Sequence, residues 1–467
     1  MILRWFCLLP MVVFLIAPAW ADEPVAPSEA PPATTVEDEY ELQRMLVDTL
    51  DQVERNYVKQ ITRRELVEAA IDGILRKLDP YSSYIAPSEL DQFRTNMESQ
   101  FGGIGIQVTM DEGQLQVLSP LVNTPAYRAG ILAGDEIVEI DGKSTEGIGL
   151  DESVRRLKGE IGSEVTLTVI HPGQTETEKI TMVRQRIQVE TVLGDRRKAN
   201  DSWDFMYDAQ QRIGYIRITA FSRGTSEELR KALKSLKKEN LAGLILDLRF
   251  NPGGLLSSAI EVSDIFVDKG RIVSTSGRNT PERTWDSHKE NTLSGFRMVV
   301  LVNRFTASAG EIVSACLQDH KRAVIMGERT WGKGSVQNVV PLEHGHSALK
   351  LTTASYQRPS GKNIHRFPNA TEKDDWGVTP DEGYAVELST ADMVTLITSR
   401  RDRDIVRPKQ PEATTAGPSA SGKDVASAGA RKPKTANVSE KRTRPVTTDR
   451  VLRMAVEYLS NELAKVD

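Results

Sequence analysis

The chain has 467 residues, a formal net charge of −5 and 27% charged residues. That length supports two or three domains with separate cores, and the small net charge argues against nucleic acid as a partner. Of its two cysteines, Cys7 lies in a segment expected to be removed, so no intrachain disulfide is expected and Cys316 reads as a small core residue.

Arg4, the apolar run Phe6 to Ala19 and the small-x-small pattern Ala19-Trp20-Ala21 read as an export signal over residues 1–21, cleaved after Ala21. An uncleaved anchor is the alternative, although the run is shorter than the roughly 20 residues a spanning helix needs. The mature protein is thus expected to be periplasmic or otherwise exported. Residues 22–36, rich in Pro, Ala, Ser and Thr, read as disordered.

A helical region is expected over 37–99. Leu42, Met45, Leu46, Leu50, Val53 and Tyr57 share one helix face, and Thr62-Arg63-Arg64-Glu65 is a capping box opening a second helix. Asp79-Pro80 stops that helix, and Pro87-Ser88 opens a third with Leu90, Phe93 and Met97. Packing on the adjacent domain and a dimer surface both remain open for this block.

Residues 100–190 change to short alternating strands broken by glycine, and Gly103-Ile104-Gly105-Ile106 resembles the loop-then-strand of a PDZ domain. Such a loop offers backbone N–H groups to a terminal carboxylate, and the strand edge accepts a peptide. A short helix at Pro125, a strand and Asp141-Gly142 turn, a helix from Leu150 to Lys158 and a strand from Val165 to Ile170 agree in order.

From 191 to 401 the pattern is mixed α/β. Strands are expected at Ile213 to Ile218, Leu244 to Leu248, Met298 to Val302 and Ala323 to Gly327, with helices between them, followed by two antiparallel strands around His344-Gly345. Residues 402–447 read as a flexible linker and 448–467 as a final helix with Leu452, Ala455, Val456, Leu459 and Leu463 on one face.

Ser308 lies among small residues at a strand-to-helix crossover, where a hydroxyl can be exposed and backbone N–H groups are free. A serine nucleophile needs a base. None of the six histidines lies in a recognisable triad motif and there is no Gly-x-Ser-x-Gly elbow. Lysine can serve if burial removes its charge. Lys333 sits between Gly332 and Gly334, and Gln337 could hold the amine in line. The Asn251-Pro252-Gly253-Gly254 turn, with the N–H of Ala309, would supply an oxyanion hole. Taken singly, helix cap and glycine turn explain the same residues.

Taken together, Leu78-Asp79-Pro80-Tyr81-Ser82, Phe101-Gly102-Gly103-Ile104-Gly105, Asp247 to Gly254, Thr306 to Ile312 and Gly332 to Gln337 make the chain resemble the C-terminal processing peptidases over roughly residues 38–400. The offsets of 25 from Ser308 to Lys333 and 29 to Gln337 match that family. The resemblance implies an α/β multidomain protein with an N-terminal helical segment, a PDZ domain and a layered β/α protease core of the ClpP/crotonase kind.

It also implies a Ser308–Lys333 dyad with Gln337 orienting the lysine, an oxyanion hole at Gly253, Gly254 and Ala309, and no cofactor or metal. The PDZ domain would gate the site and bind substrate C-termini through Gly103, Ile104, Gly105 and Ile106. Lys158 occupies the family's basic position near the gating contact, where a surface lysine would serve as well. The expected partners are protein substrates with accessible tails. A homo-oligomer through the N- and C-terminal helices and an adaptor protein stay open. Gly310 replaces a serine found in many relatives, and the 402–447 linker leaves open where the last helix docks, a neighbouring subunit included. The competing function is a catalytically silent PDZ scaffold or chaperone, which the joint presence of Ser308, Lys333 and Gln337 disfavours. A trypsin-like protease with a PDZ domain fails on domain order and on the missing His/Asp/Ser set.

Overall fold

The computed structural model describes residues 36–90, 93, 100–406 and 449–465. The expected signal segment, nearly all of the 22–36 stretch and most of the expected linker lie outside them. No helix among the described residues is long and apolar enough to cross a membrane.

The chain divides into two units, residues 1–74 and 75–467. In the first, the helix Val36–Asn56 is followed by a turn in which Thr62 and Glu65 form the reciprocal cap that their spacing predicts: the Thr62 N–H donates to Glu65 Oε2 at 2.8 Å and the Glu65 N–H to Thr62 Oγ1 at 3.2 Å. Arg63 ties this turn back to Asp51 and Glu54. Leu42, Met45 and Leu46 on the first helix are exposed.

In the second unit, residues 87–90 are helical and Leu90 packs with Ile85, Ala348 and Phe93. That stretch therefore docks against the strand Ser347–Gln357, whereas Met97 lies outside the described residues. The PDZ sheet runs Ile106–Asp111, Gln114–Pro120, Glu136–Ile140, Glu164–Ile170 and Thr177–Val183, all antiparallel. Ile106–Asp111 is an edge strand, as peptide addition requires.

The core is a six-stranded sheet in which four consecutive strands, Ile213–Ile218, Gly243–Asp247, Arg297–Val302 and Val324–Gly327, are parallel. Their continuous apolar sequence reflects burial on both faces. Ile216, Leu244, Leu246, Val300 and Val302 face the helices Thr225–Lys238, Leu256–Asp264 and Ala309–Asp319, while Tyr215, Ile245, Val299 and Leu301 face the other side.

The second face is covered by the C-terminal helix Arg450–Ala464, whose Val451, Leu452, Ala455 and Leu459 are buried against it. The last helix thus docks on its own chain's sheet. The reason is chemical as well as apolar. Asp449 caps the helix by accepting the Leu452 N–H at 3.1 Å, and it accepts two hydrogen bonds from the buried Arg249 at 2.8 and 2.7 Å.

Residue 402 does not begin a tether. The helix Thr390–Asp404 continues through it, Arg217 grips both Asp404 oxygens at 2.6 Å, and the Val406 N–H donates to Ser119 Oγ of the PDZ sheet at 3.0 Å. Charged pairing holds these residues where composition alone suggests a solvated linker. A second sheet joins Ser83–Ile85, Ser347–Gln357, Arg271–Gly277 and Thr280–Asp286, with Ser335–Leu342 paired to Ser347–Gln357.

Candidate active site

The site forms where the parallel strands Gly243–Asp247 and Arg297–Val302 end side by side. Beyond them, Phe250 adopts φ +63°, and Asn251 is buried with its Nδ2 donating to Ile218 O at 2.8 Å. The Asn251 carbonyl accepts the Ala307 N–H at 2.9 Å, and Thr306 Oγ1 donates to Leu248 O at 2.9 Å. These bonds press the two loops together. A Cβ on Gly253 (φ +104°) would lie 2.7 Å from Ser308 Cβ, so only glycine permits this approach.

Ser308 precedes the helix Ala309–Asp319 with φ +55° and ψ −116°, a strained backbone for a side-chain-bearing residue. Its Oγ lies 2.9 Å from the Tyr356 hydroxyl. Next to it, the N–H groups of Gly254 and Ala309 have no hydrogen-bond partner among the described residues. Gly253 differs from expectation: its N–H donates to Asn251 Oδ1 at 2.8 Å, so it contributes close approach rather than a free donor.

One buried carboxylate joins the serine to the lysine turn. Glu311 Oε2 accepts the N–H groups of Ser308 and Lys333, each at 2.8 Å. Its Oε1 accepts the Gly332 N–H at 2.7 Å and the Thr330 hydroxyl at 2.5 Å. Burial pushes the Glu311 carboxyl above its ordinary range, against the pull of these four donors. The glycines beside Lys333 act as expected: a Cβ on Gly334 would meet His365 N at 2.5 Å, and Gly332 takes φ +88°.

Lys333 is half-buried, with its Nζ 5.1 Å from the centre of the Tyr81 ring. Burial, then the Lys350 charge, lower its pKa below that of an ordinary lysine, opposed by Glu311 and Asp79. Among the described residues no hydrogen bond joins Lys333 Nζ to Ser308 Oγ, whose hydroxyl is engaged by Tyr356 instead. Gln337 is near but differently employed. Its Nε2 donates to Ser335 Oγ at 2.9 Å and to Thr352 Oγ1 at 3.1 Å, and no bond to Lys333 is present.

Three contributors were not assigned by sequence reasoning. Tyr356 meets Ser308 across 48 residues, a contact no local pattern signals. Glu311 carried a usable signal, since it stands three residues after Ser308, the spacing of a capping box. Asp79 accepts the N–H groups of Tyr81 and Ser82 and the Ser82 hydroxyl at 2.7–2.8 Å, fixing the segment that places Tyr81 beside Lys333. Asp319 lies away from the serine and holds Arg358 at 2.9 and 2.6 Å.

In the PDZ loop, Ile104 is buried, Gly105 takes φ +79°, and the N–H groups of both lack a partner among the described residues. Gly103 ends the strand Gln100–Gly103, and Ile106 begins the edge strand. Lys158 closes the helix Leu150–Leu157 with its N–H on Val154 O at 3.0 Å.

Comparison with known proteins places these regions. Residues 212–383 match the model of peptidase family S41, residues 102–182 that of the PDZ domain, and residues 20–88 that of the activating protease CtpB N-terminal domain. A carboxy-terminal-processing protease of Bartonella bacilliformis is 38% identical over 374 residues, covering 76% of this chain and 81% of that protein. The carboxy-terminal processing protease CtpA of Bacillus subtilis is 36% identical over 318 residues, 68% of this chain and 65% of its own length. The solved photosystem II D1 C-terminal processing protease is 30% identical with a TM-score of 0.42, covering 74% of this chain and 93% of that one.

Proposed function

This chain belongs to the carboxy-terminal processing proteases of peptidase family S41, and on that premise we propose that it is an exported endopeptidase that cuts protein substrates at or near their C-termini with Ser308 as nucleophile and Lys333 as base. It is a serine-type peptidase with a PDZ domain. The observation that carries the residue assignment is the Glu311 carboxylate, which holds the backbones of Ser308 and Lys333 on one oxygen at 2.8 Å each.

In this reading neutral Lys333 takes the Ser308 proton as Oγ attacks the scissile carbonyl. The N–H groups of Gly254 and Ala309 receive the oxyanion, a term worth about 3–4 kcal/mol per donor in comparable sites. Lys333 then protonates the departing amine, and water, activated by the same lysine, hydrolyses the acyl-enzyme and returns the proton to Ser308. Because no hydrogen bond joins Lys333 Nζ to Ser308 Oγ among the described residues, the lysine stem has to swing onto Oγ when substrate binds. The Tyr356 contact permits this move, since Oγ can accept from the phenol while it donates to the amine. Gln337 Oε1, which has no partner among the described residues, is then available to receive the amine. The PDZ edge strand and the free N–H groups at Ile104 and Gly105 are suited to a substrate tail and its carboxylate. Export rests on the Arg4 to Ala21 pattern alone, and mature protein recovered from cells is expected to start at residue 22.

The test is incubation of the wild type, Ser308→Ala and Lys333→Ala with an unfolded protein, mapping the cuts. Both variants should be silent while melting near the wild type, and near-normal cutting by Lys333→Ala would remove the dyad. Wild-type kcat/KM should rise with pH as Lys333 deprotonates, and a flat profile from about pH 6 to 9 contradicts a lysine base.

A further inference from the structure

We infer that Tyr356 is a further catalytic residue, a hydrogen-bond donor to Ser308 Oγ that orients the hydroxyl and stabilises the charge it gains during acyl transfer. The inference rests on the reading of Ser308 as nucleophile. The phenol oxygen and Oγ are 2.9 Å apart, and among the described residues each is the other's sole side-chain partner.

The phenol's placement is fixed from several directions. Tyr356 belongs to the main buried cluster of the core, and its backbone N–H donates to Gly334 O at 2.9 Å. Its strand, Ser347–Gln357, pairs with the strand that leaves the lysine turn, in register Ser335 with Ser355 and Val336 with Ala354. One residue therefore touches the nucleophile with its side chain and the lysine turn with its backbone.

The direction of the hydrogen bond follows from the chemistry. Attack requires the Ser308 proton to point at Lys333 Nζ. Oγ then has only lone pairs left for the phenol, which must donate. Burial pushes the Tyr356 hydroxyl up to about 12, so it keeps its proton at any working pH. The O–H dipole thus points at Oγ as the serine proton leaves for Lys333, and again when Oγ departs from the acyl group and takes a proton back from the lysine. Tyr356 transfers no proton in either step; it starts and ends as a neutral phenol. The same bond keeps Oγ in place in the resting site, where no hydrogen bond joins it to Lys333 among the described residues.

The experiment compares Tyr356→Phe, Ser308→Ala and the wild type, full chain, by cleavage kinetics on an unfolded protein and by the rate of covalent labelling with an alkyl fluorophosphonate at pH 9. Tyr356→Phe keeps the buried ring, so its melting temperature should stay close to that of the wild type. Its kcat and labelling rate should each fall about ten- to a hundred-fold, the worth of one hydrogen bond to a charged group, with KM and the acid limb of the pH profile unmoved. Wild-type or faster labelling by a folded Tyr356→Phe overturns the assignment. Should that variant unfold, 3-fluorotyrosine at 356 keeps the hydroxyl and makes it a stronger donor. Labelling at pH 7 is then expected to accelerate by about two-fold on Brønsted grounds, and no change or a slowing overturns it. Labelling of Ser308→Ala at the wild-type rate would instead sink the nucleophile assignment itself, so the two failures are distinguishable.

Discussion

Replacing Glu311 by glutamine changes one atom and should be severe. The carboxylate accepts four hydrogen bonds, two on each oxygen: Ser308 N–H and Lys333 N–H on one, Gly332 N–H and the Thr330 hydroxyl on the other. An amide keeps one accepting oxygen and turns an N–H₂ group toward two donors. At about 1.5–3 kcal/mol for each hydrogen bond to a charged group, two lost bonds cost about 3–6 kcal/mol, against a typical total stability of about 5–15 kcal/mol. Urea unfolding of Glu311→Gln in the Ser308→Ala background, which removes self-cleavage, measures this directly. A second readout separates bracing from plain stability. The Glu311 charge opposes the lowering of the Lys333 pKa that burial and Lys350 produce. Removing it should move the acid limb of kcat/KM to lower pH in whatever fraction stays folded. A variant within about 0.5 kcal/mol of the wild type, the range of an ordinary surface change, with an unmoved acid limb would refute the brace.

Two further outcomes follow from buried charge. Asp449→Ala strips Arg249 of one of its two carboxylate partners and the last helix of its cap. The loss should be about 3–5 kcal/mol for a broken buried pair, read as a lower urea midpoint together with early proteolytic release of 450–464 by an added protease; an unchanged midpoint would contradict docking through this pair. In the PDZ domain, His171 lies 2.7 Å from Asp135 and 3.1 Å from Glu178, and the Asp135 hydrogen bond raises its pKa. A raised folded pKa means stability present in full below the unfolded value of about 6.5 and lost as pH rises through the folded one. The wild type should therefore lose more melting temperature than His171→Gln on going from pH 6 to pH 8, and parallel losses would dismiss the effect.

The parallel strands were legible because burial on both faces demands near-continuous apolar runs such as Leu244-Ile245-Leu246, and the PDZ domain because its turns recur in a recognisable order. Ser308, Lys333 and Gln337 were found through resemblance and offset rather than through any local physical necessity. The helix Thr390–Asp404 was hidden because its last residues, Arg401-Asp402-Arg403-Asp404, look like solvated chain until Arg217 and Asp195 are seen to face them.

Periodicity, caps and glycine turns act over a few residues, so the set of elements and the chemical types available at the site could be read along the chain. Which groups meet across long separations emerged on folding. Tyr356 rather than Lys333 holds the Ser308 hydroxyl, Gly253 spends its N–H on Asn251, and Asp449 closes on Arg249 across 200 residues. Such pairings are set by strand register and by the need of buried polar groups for partners, and neither is written in any short stretch of chain.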